Sequence, residues 1–441
     1  MQKLTYKGIL LLYVPLAASW VLMLSEAPLI NAFLARGPDP ELSLAAFGVA
    51  LGIILVVEAP ILMMLELSIA LSRNLVSFRK IRQFYVIVGL AITALGIGLF
   101  YTPVCRLLLC DLMHIPPKIA EATVPALRLL VWWPFPIGWR RIYQGVLVND
   151  GRTRIISVAT GARLLVLLAV MAGGQSLSTV PGATLASAAM VLAVVAETSI
   201  IHWAAGATFE GSLSQQPADG EALTLRYLWF FYLPLAITTV LRQSIRPVIS
   251  AGIAAAPMAE LSLAAWPVAF SLASIFWGPT MGLQQVTIAL TNDRESWHTV
   301  SRFVLSAGLA LTLALALISF TPLLWAVLVQ LFGLSEALAE LAAPAARILV
   351  LLPLAYTFHA LFTGLLVKQR RTTSVRTAKA INMGFVGLAL FFGLAYGGLW
   401  GSVLGAVAVC SGSWAEAVWL YWQSRPVIGQ LATTSVGESI T

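Results

Sequence analysis

Tyr13-Val14-Pro15-Leu16-Ala17 returns as Tyr232-Leu233-Pro234-Leu235-Ala236, and Glu41-Leu42-Ser43-Leu44-Ala45-Ala46 returns as Glu260-Leu261-Ser262-Leu263-Ala264-Ala265, each at an offset of 219. The same offset carries Tyr101-Thr102-Pro103 onto Phe320-Thr321-Pro322, Arg128 onto Arg347, Gly145 onto Gly364, Arg152-Thr153 onto Arg371-Thr372 and Glu197 onto Glu416. Residues 13–203 map onto 232–422 without a gap. Pro15, Pro28, Pro38, Pro60, Pro103, Pro125 and Pro134 fall on Pro234, Pro247, Pro257, Pro279, Pro322, Pro344 and Pro353. A proline inside a helix removes a backbone hydrogen bond and bends the chain, so shared prolines predict shared kinks in an internal duplication.

Composition says what is duplicated. Hydrophobic residues make up 59% of the 441 and charged residues 10%, with a mean hydropathy of +0.89, whereas soluble domains carry roughly 25% charge. Crossing a bilayer takes roughly 20 apolar residues as a helix, and stretches of that kind recur near 8–34, 44–72, 83–104, 120–148, 155–173 and 182–206, then again after 225. The expected fold is an all-α polytopic membrane protein with 12 transmembrane helices in two six-helix bundles. An even number of spans per half returns the chain to its starting side, so the repeat is parallel, with both halves in the same orientation. The expected segments are a bundle over 1–208, a cytoplasmic linker over 209–225, a second bundle over 226–424 and a polar cytoplasmic tail over 425–441. A cleaved leader is excluded for the first helix, because the same Tyr-x-Pro-Leu-Ala sequence opens a helix in mid-chain.

Orientation follows the distribution of Lys and Arg. With the N-terminus in the cytoplasm, Lys3, Lys7, Arg73, Arg79, Lys80, Arg82, Arg152, Arg154, Arg294, Arg302, Lys368, Arg370, Arg371, Arg376 and Arg425 fall inside, and Arg36, Arg106 and Lys118 outside. The net charge of +8 is then mainly a topology signal rather than a nucleic-acid footprint. Cys105, Cys110 and Cys410 form neither a disulfide framework nor a redox motif, and His114, His202 and His298 have no ligand spacing, so no cofactor or metal is expected.

Ionisable groups inside spans are costly and mark pathways or internal pairs. Arg128 with Arg347 and Glu197 with Glu416 occupy equivalent positions, which points to architecture: an Arg to Glu clamp in each bundle, or an arginine snorkelling to the interface. Other charges break the symmetry. Glu26 aligns with Ile245, Glu58 with Trp277, Glu66 with Gln285, Arg140 with His359, Arg141 with Ala360, Arg242 with Met23 and Arg246 with Ala27. Arg242 and Arg246 share a helix face, Glu26 lies on the corresponding face of the first helix, and together with Arg140 and Arg141 they form the expected solute-binding set. A Glu26 to Arg246 ion pair joining the halves is the plainer reading. Glu58, two residues before Pro60, and Glu66 are the expected carriers of a coupling proton or sodium ion; Glu58 alternatively pairs with Arg140 or Arg141. His359 reads as a packing residue, and Trp132-Trp133-Pro134-Phe135-Pro136 as a kinked, interface-anchoring segment.

The two-lobed arrangement with a proline-broken first helix in each half resembles the multidrug/oligosaccharidyl-lipid/polysaccharide exporter superfamily. Within it, the chain is similar to the progressive ankylosis protein family. The similarity lies in Pro125-Ala126-Leu127-Arg128-Leu129 with Pro134-Phe135-Pro136 and Arg140, in Arg246-Pro247-Val248 after Pro234-Leu235-Ala236, and in Ala196-Glu197-Thr198. The resemblance implies export of anions such as citrate, nucleotide or pyrophosphate. The expectation is therefore an alternating-access transporter of a small polar anion, a monomer in the inner membrane of a bacterial cell. The alternatives are a proton- or sodium-coupled cation or drug antiporter, favoured by Glu26, Glu58 and Glu66, a flippase of lipid-linked precursors, or a non-transporting membrane protein. An intramembrane enzyme is disfavoured because no Ser/His, Cys/His or metal constellation occurs.

Overall fold

The duplication shows in where helices stop. In the computed structural model, which describes residues 5–72, 74–150, 152–176, 180–208, 223–369 and 371–437, a first helix, Tyr6–Leu24, gives way after Ser25 to Glu26–Leu34. Its counterpart Leu225–Gln243 gives way after Ser244 to Ile245–Ala254. Pro28 and Pro247 explain both breaks: neither donates to the carbonyl four residues earlier, at Leu24 and Gln243, where the first segments end. No strand occurs among the described residues.

Among the described residues, eleven helical stretches are long and apolar enough to cross a membrane. They are α1 (Tyr6–Leu34), α2 (Pro40–Leu71), α3 (Leu75–Phe100), α5 (Arg154–Gly174), α6 (Gly182–Gly206), α7 (Leu225–Ala254), α8 (Ala259–Leu290), α9 (Arg294–Ser319), α10 (Glu336–Lys368), α11 (Thr373–Tyr396) and α12 (Gly401–Gln430). The counterpart of α10 is α4, formed by Pro117–Leu130 and Pro134–Asn149. A turn at residues 131–133 divides it into pieces too short to qualify alone. The twelve-span architecture and the character of an integral membrane protein follow.

Local chemistry is copied with the helices. Asn74 caps α3 by accepting from Ser77 N–H at 2.9 Å, while Ser77 Oγ accepts from Asn74 N–H at 3.0 Å. Asp293 and Ser296 make the same reciprocal box on α9, at 2.8 and 2.9 Å. Such boxes satisfy N–H groups that a helix start leaves without partners. Left-handed backbone recurs at Asp39 and Met258, and at His114 and Gly333.

Contacts divide the chain into two compact units that differ from the sequence halves: Gly37–Ala251, and Met1–Arg36 with Gly252–Thr441. The first unit holds α2–α6 and most of α7. Tyr232 on α7 meets Phe84 of α3 edge-on at 5.4 Å. The second unit holds α1 and α8–α12, and there Tyr13 meets Phe303 of α9 at 5.7 Å. Asn31 of α1 also donates to Ser271 Oγ at 3.1 Å and Pro267 O at 3.0 Å. Each repeat thus lends its first helix to the unit built around the other repeat. The contiguous bundles expected over 1–208 and 226–424 do not describe this grouping.

Two boundaries also differ from expectation. Helix α7 begins at Leu225, within the expected linker, whose residues 209–222 lie outside the described ones. The expected tail from 425 continues as helix to Gly437, because Val427 is 1% exposed and packs with Leu366 and Leu420, which outweighs the proline at 426. Residues 438–441 lie outside the described ones.

Close helix approach depends on paired glycines. A Cβ on Gly145 of α4 would collide with the Ser68 side chain of α2, and one on Gly364 of α10 would reach Thr287 Cβ of α8 at 2.7 Å. Gly145→Val and Gly364→Val should each lower the melting temperature in detergent, consistent with an overpacking cost of about 1–3 kcal/mol. Wild-type melting of either variant would show that the helix pair is looser than this packing requires.

Candidate functional site

In the unit formed by residues 37–251, Glu197 of α6 has no exposed surface. Arg140 Nη1 donates directly to its Oε2, Arg163 Nη1 approaches the same oxygen at 3.5 Å, and Thr160 Oγ1 donates to Oε1 at 3.0 Å. Thr160 and Arg163 stand three residues apart on α5 and so share a face. Arg140 comes from the second segment of α4, where the Pro134 restart places it on the buried side. Two guanidinium groups on one carboxylate satisfy the charge that membrane burial would otherwise leave uncompensated.

The other unit repeats the construction with different side chains. Glu416 of α12 is 3% exposed. His359 Nε2 lies 3.0 Å and Lys379 Nζ 2.6 Å from its Oε1, and Asn382 Nδ2 donates to Oε2 at 2.9 Å. At the repeat offset, Arg140 becomes His359, Thr160 becomes Lys379, Arg163 becomes Asn382 and the glutamate stays. The first cluster carries a fixed formal charge of +1. The second is neutral with a neutral imidazole and +1 when His359 is protonated.

The expected clamp from Arg128 to Glu197 and from Arg347 to Glu416 is therefore corrected. Arg128 Nε donates to Phe100 O at 3.2 Å, and Arg347 Nε to Ser319 O at 3.3 Å. These are the last carbonyls of α3 and α9, where orphan acceptors and the helix dipole favour a cation. Arg128 also lies 5.4 Å from the Tyr101 ring. Both arginines are symmetric because both helix ends need the same cap. Trp132 and Trp133 lie in the turn that divides α4, the first 49% exposed and the second buried.

The remaining expected residues divide between the units. Arg141 lies within Coulombic reach of Arg140, Glu58, Glu66 and Glu197; Glu58 is buried and Glu66 exposed. Arg242 is exposed at the end of the first α7 segment, and Arg246 is half-buried across the Ser244 break, its Cβ 3.9 Å from where a Cβ on Gly52 would stand. Arg242 and Arg246 fall in the unit of residues 37–251, whereas half-buried Glu26 belongs to the other unit. The expected site set omitted Thr160, Arg163, Lys379 and Asn382. Reading the repeat for positions polar in both copies finds all four. Among the described residues, no three His, Cys, Asp or Glu side chains are grouped to hold a metal ion.

Solved structures share this architecture. An inward-facing multidrug resistance MATE family transporter of the MOP superfamily superposes with a TM-score of 0.70 at 17% identity, covering 93% of this chain and 96% of that one. A MOP superfamily transporter from Pyrococcus furiosus, described as having a binding pocket of reversed polarity, gives 0.62 at 16% identity over 97% and 99%. The lipid II flippase MurJ in an inward closed conformation gives 0.65 at 13% identity over 96% and 90%. The chain is thus a membrane protein with the MATE-like fold of the MOP superfamily. Its residues 221–391, which run from the start of α7 into α11, match the progressive ankylosis protein (ANKH) family. No curated protein matches it in sequence.

The clusters predict unequal costs for arginines that look alike in the sequence. Glu197→Ala strands two guanidinium groups and should destabilise by about 3–5 kcal/mol. Arg128→Ala removes one charge-assisted hydrogen bond to a carbonyl and should cost about 1.5–3 kcal/mol. Melting in detergent should order the variants accordingly, and an Arg128→Ala loss equal to that of Glu197→Ala would contradict the assignment.

Proposed function

We propose that the protein is an alternating-access secondary transporter that moves a small polar anion, an organic carboxylate or a phosphate-bearing solute such as citrate or pyrophosphate. We place it in the inner membrane of a bacterial cell with both termini in the cytoplasm. One observation carries the anion reading: Arg140 and Arg163 both meet the single buried carboxyl of Glu197, which leaves that cluster with a formal charge of +1. Surplus guanidinium inside a membrane protein suits a carboxylate or phosphate, which it binds through paired donors and without losing its own charge. Arg242 and Arg246, in the same unit, extend this supply of donors, and Glu26 is assigned to the solute path on its chemistry alone. The resemblance to the progressive ankylosis family supports the same solute class.

Coupling is proposed to involve protons. Glu58 and Glu66 remain carriers on this reading, but the second cluster adds a titratable imidazole where the first has a fixed guanidinium. Imidazole ordinarily changes charge between pH 5 and 8. Lowering the pH raises the second cluster from neutral to +1, which favours an anion, so anion uptake should rise on acidification.

Liposomes containing the purified protein test both parts. Arg141→Ala or Arg246→Ala should weaken citrate or pyrophosphate uptake about tenfold to a hundredfold in apparent affinity, and Arg246→Lys should already weaken it, because an ammonium lacks the fork. Wild-type affinity in the Arg141→Ala/Arg246→Ala double variant, or uptake of cationic dyes in place of anions, would favour the antiporter reading. His359→Arg should flatten the pH dependence between 5 and 8; an unchanged profile would remove His359 from coupling.

A further inference from the structure

A cleft of about 450 Å3 opens within the unit of residues 37–251, between α3 and α7, and its lining is almost wholly apolar. One wall runs from Ile87 to Leu95 and the other from Trp229 to Leu241, with Pro60 at the side. Both walls follow single helix faces, recurring every three to four residues.

Following those faces one turn at a time toward the helix starts gives the same order twice. On α3 the stripe passes from Val88 to Phe84 and then to exposed Lys80, whose ammonium donates to Gln83 Oε1 at 3.3 Å. On α7 it passes from Tyr232 to Trp229 and then to exposed Arg226. The two series are level with one another, since the Phe84 ring meets Trp229 at 6.0 Å and Tyr232 at 5.4 Å. Cations, then aromatic rings, then aliphatic wall is the polarity profile of a bilayer leaflet read from headgroup to tail.

We infer that this cleft binds one anionic phospholipid, its phosphate at Lys80 and Arg226 and an acyl chain between α3 and α7. The cations select the headgroup charge, and the apolar walls take the chain. A lipid held here braces α7 against α3 beside the contacts of the Phe84 ring with Trp229 and Tyr232.

Native mass spectrometry of the full chain, released from micelles with added phosphatidylglycerol or phosphatidylcholine of equal chain length, tests the assignment. The wild type should retain phosphatidylglycerol with a preference of roughly tenfold or more. Lys80→Gln/Arg226→Gln, which alters only exposed side chains, should abolish the preference, and Ala91→Trp, which fills the cleft, should abolish retention of both lipids. Equal retention of the two lipids by the wild type would overturn the inference. So would an intact preference in the double variant, retention by folded Ala91→Trp, or displacement of phosphatidylglycerol by millimolar citrate or phosphate, which would assign the cleft to a soluble anion. If Ala91→Trp does not fold, the double variant decides alone.

Discussion

A carboxylate in the interior of a membrane-spanning bundle must be met by donors, and this requirement locks three helices together in each unit. Glu197 draws α4 and α5 onto α6, and Glu416 draws α10 and α11 onto α12. Apolar packing alone specifies helix register weakly in lipid, where the surroundings are as apolar as the helices. A charged contact specifies it strongly, because a slip of one turn leaves ions uncompensated. The long proline-broken helices can bend around these two fixed points without losing register.

The repeat made the helices and their kinks legible in advance, because a duplicated sequence reports each position twice. Pro28 with Pro247 located the breaks in α1 and α7. The partner of Glu197 was misread because symmetry alone was used to choose it. Depth would have chosen correctly. Arg140 lies nine residues from Asn149, Arg163 nine from Arg154 and Glu197 nine from Gly206, each counted from the same side of the unit. At a rise of about 1.5 Å per residue, they share one level. Arg128, in the last turn of the first α4 segment and before the turn at 131–133, does not reach that level and instead caps α3.

The exchange of first helices was not legible, for a reason internal to duplication. Tyr13 and Tyr232 occupy equivalent positions, as do Phe84 and Phe303, so the tyrosine–phenylalanine contact by itself does not say which of α3 and α9 each first helix joins. The choice rests on contacts without a duplicate. Asn31 bonding to Ser271 is one, since its equivalent on α7 is Ser250. Another is Arg36, whose guanidinium takes the carbonyls of Gln330, Leu331 and Phe332 and whose equivalent is Ala255.

The two repeats keep one backbone plan and diverge in charge. Here the helix boundaries coincide between repeats, while Arg140, Thr160 and Arg163 become His359, Lys379 and Asn382. The carboxylate keeps both scaffolds in register, so the substitutions around it change charge without changing architecture. On the proposed reading, one lobe holds a constant positive charge and the other acquires it only with a proton. The proton at His359 is then what makes the two lobes alike in charge toward an anion.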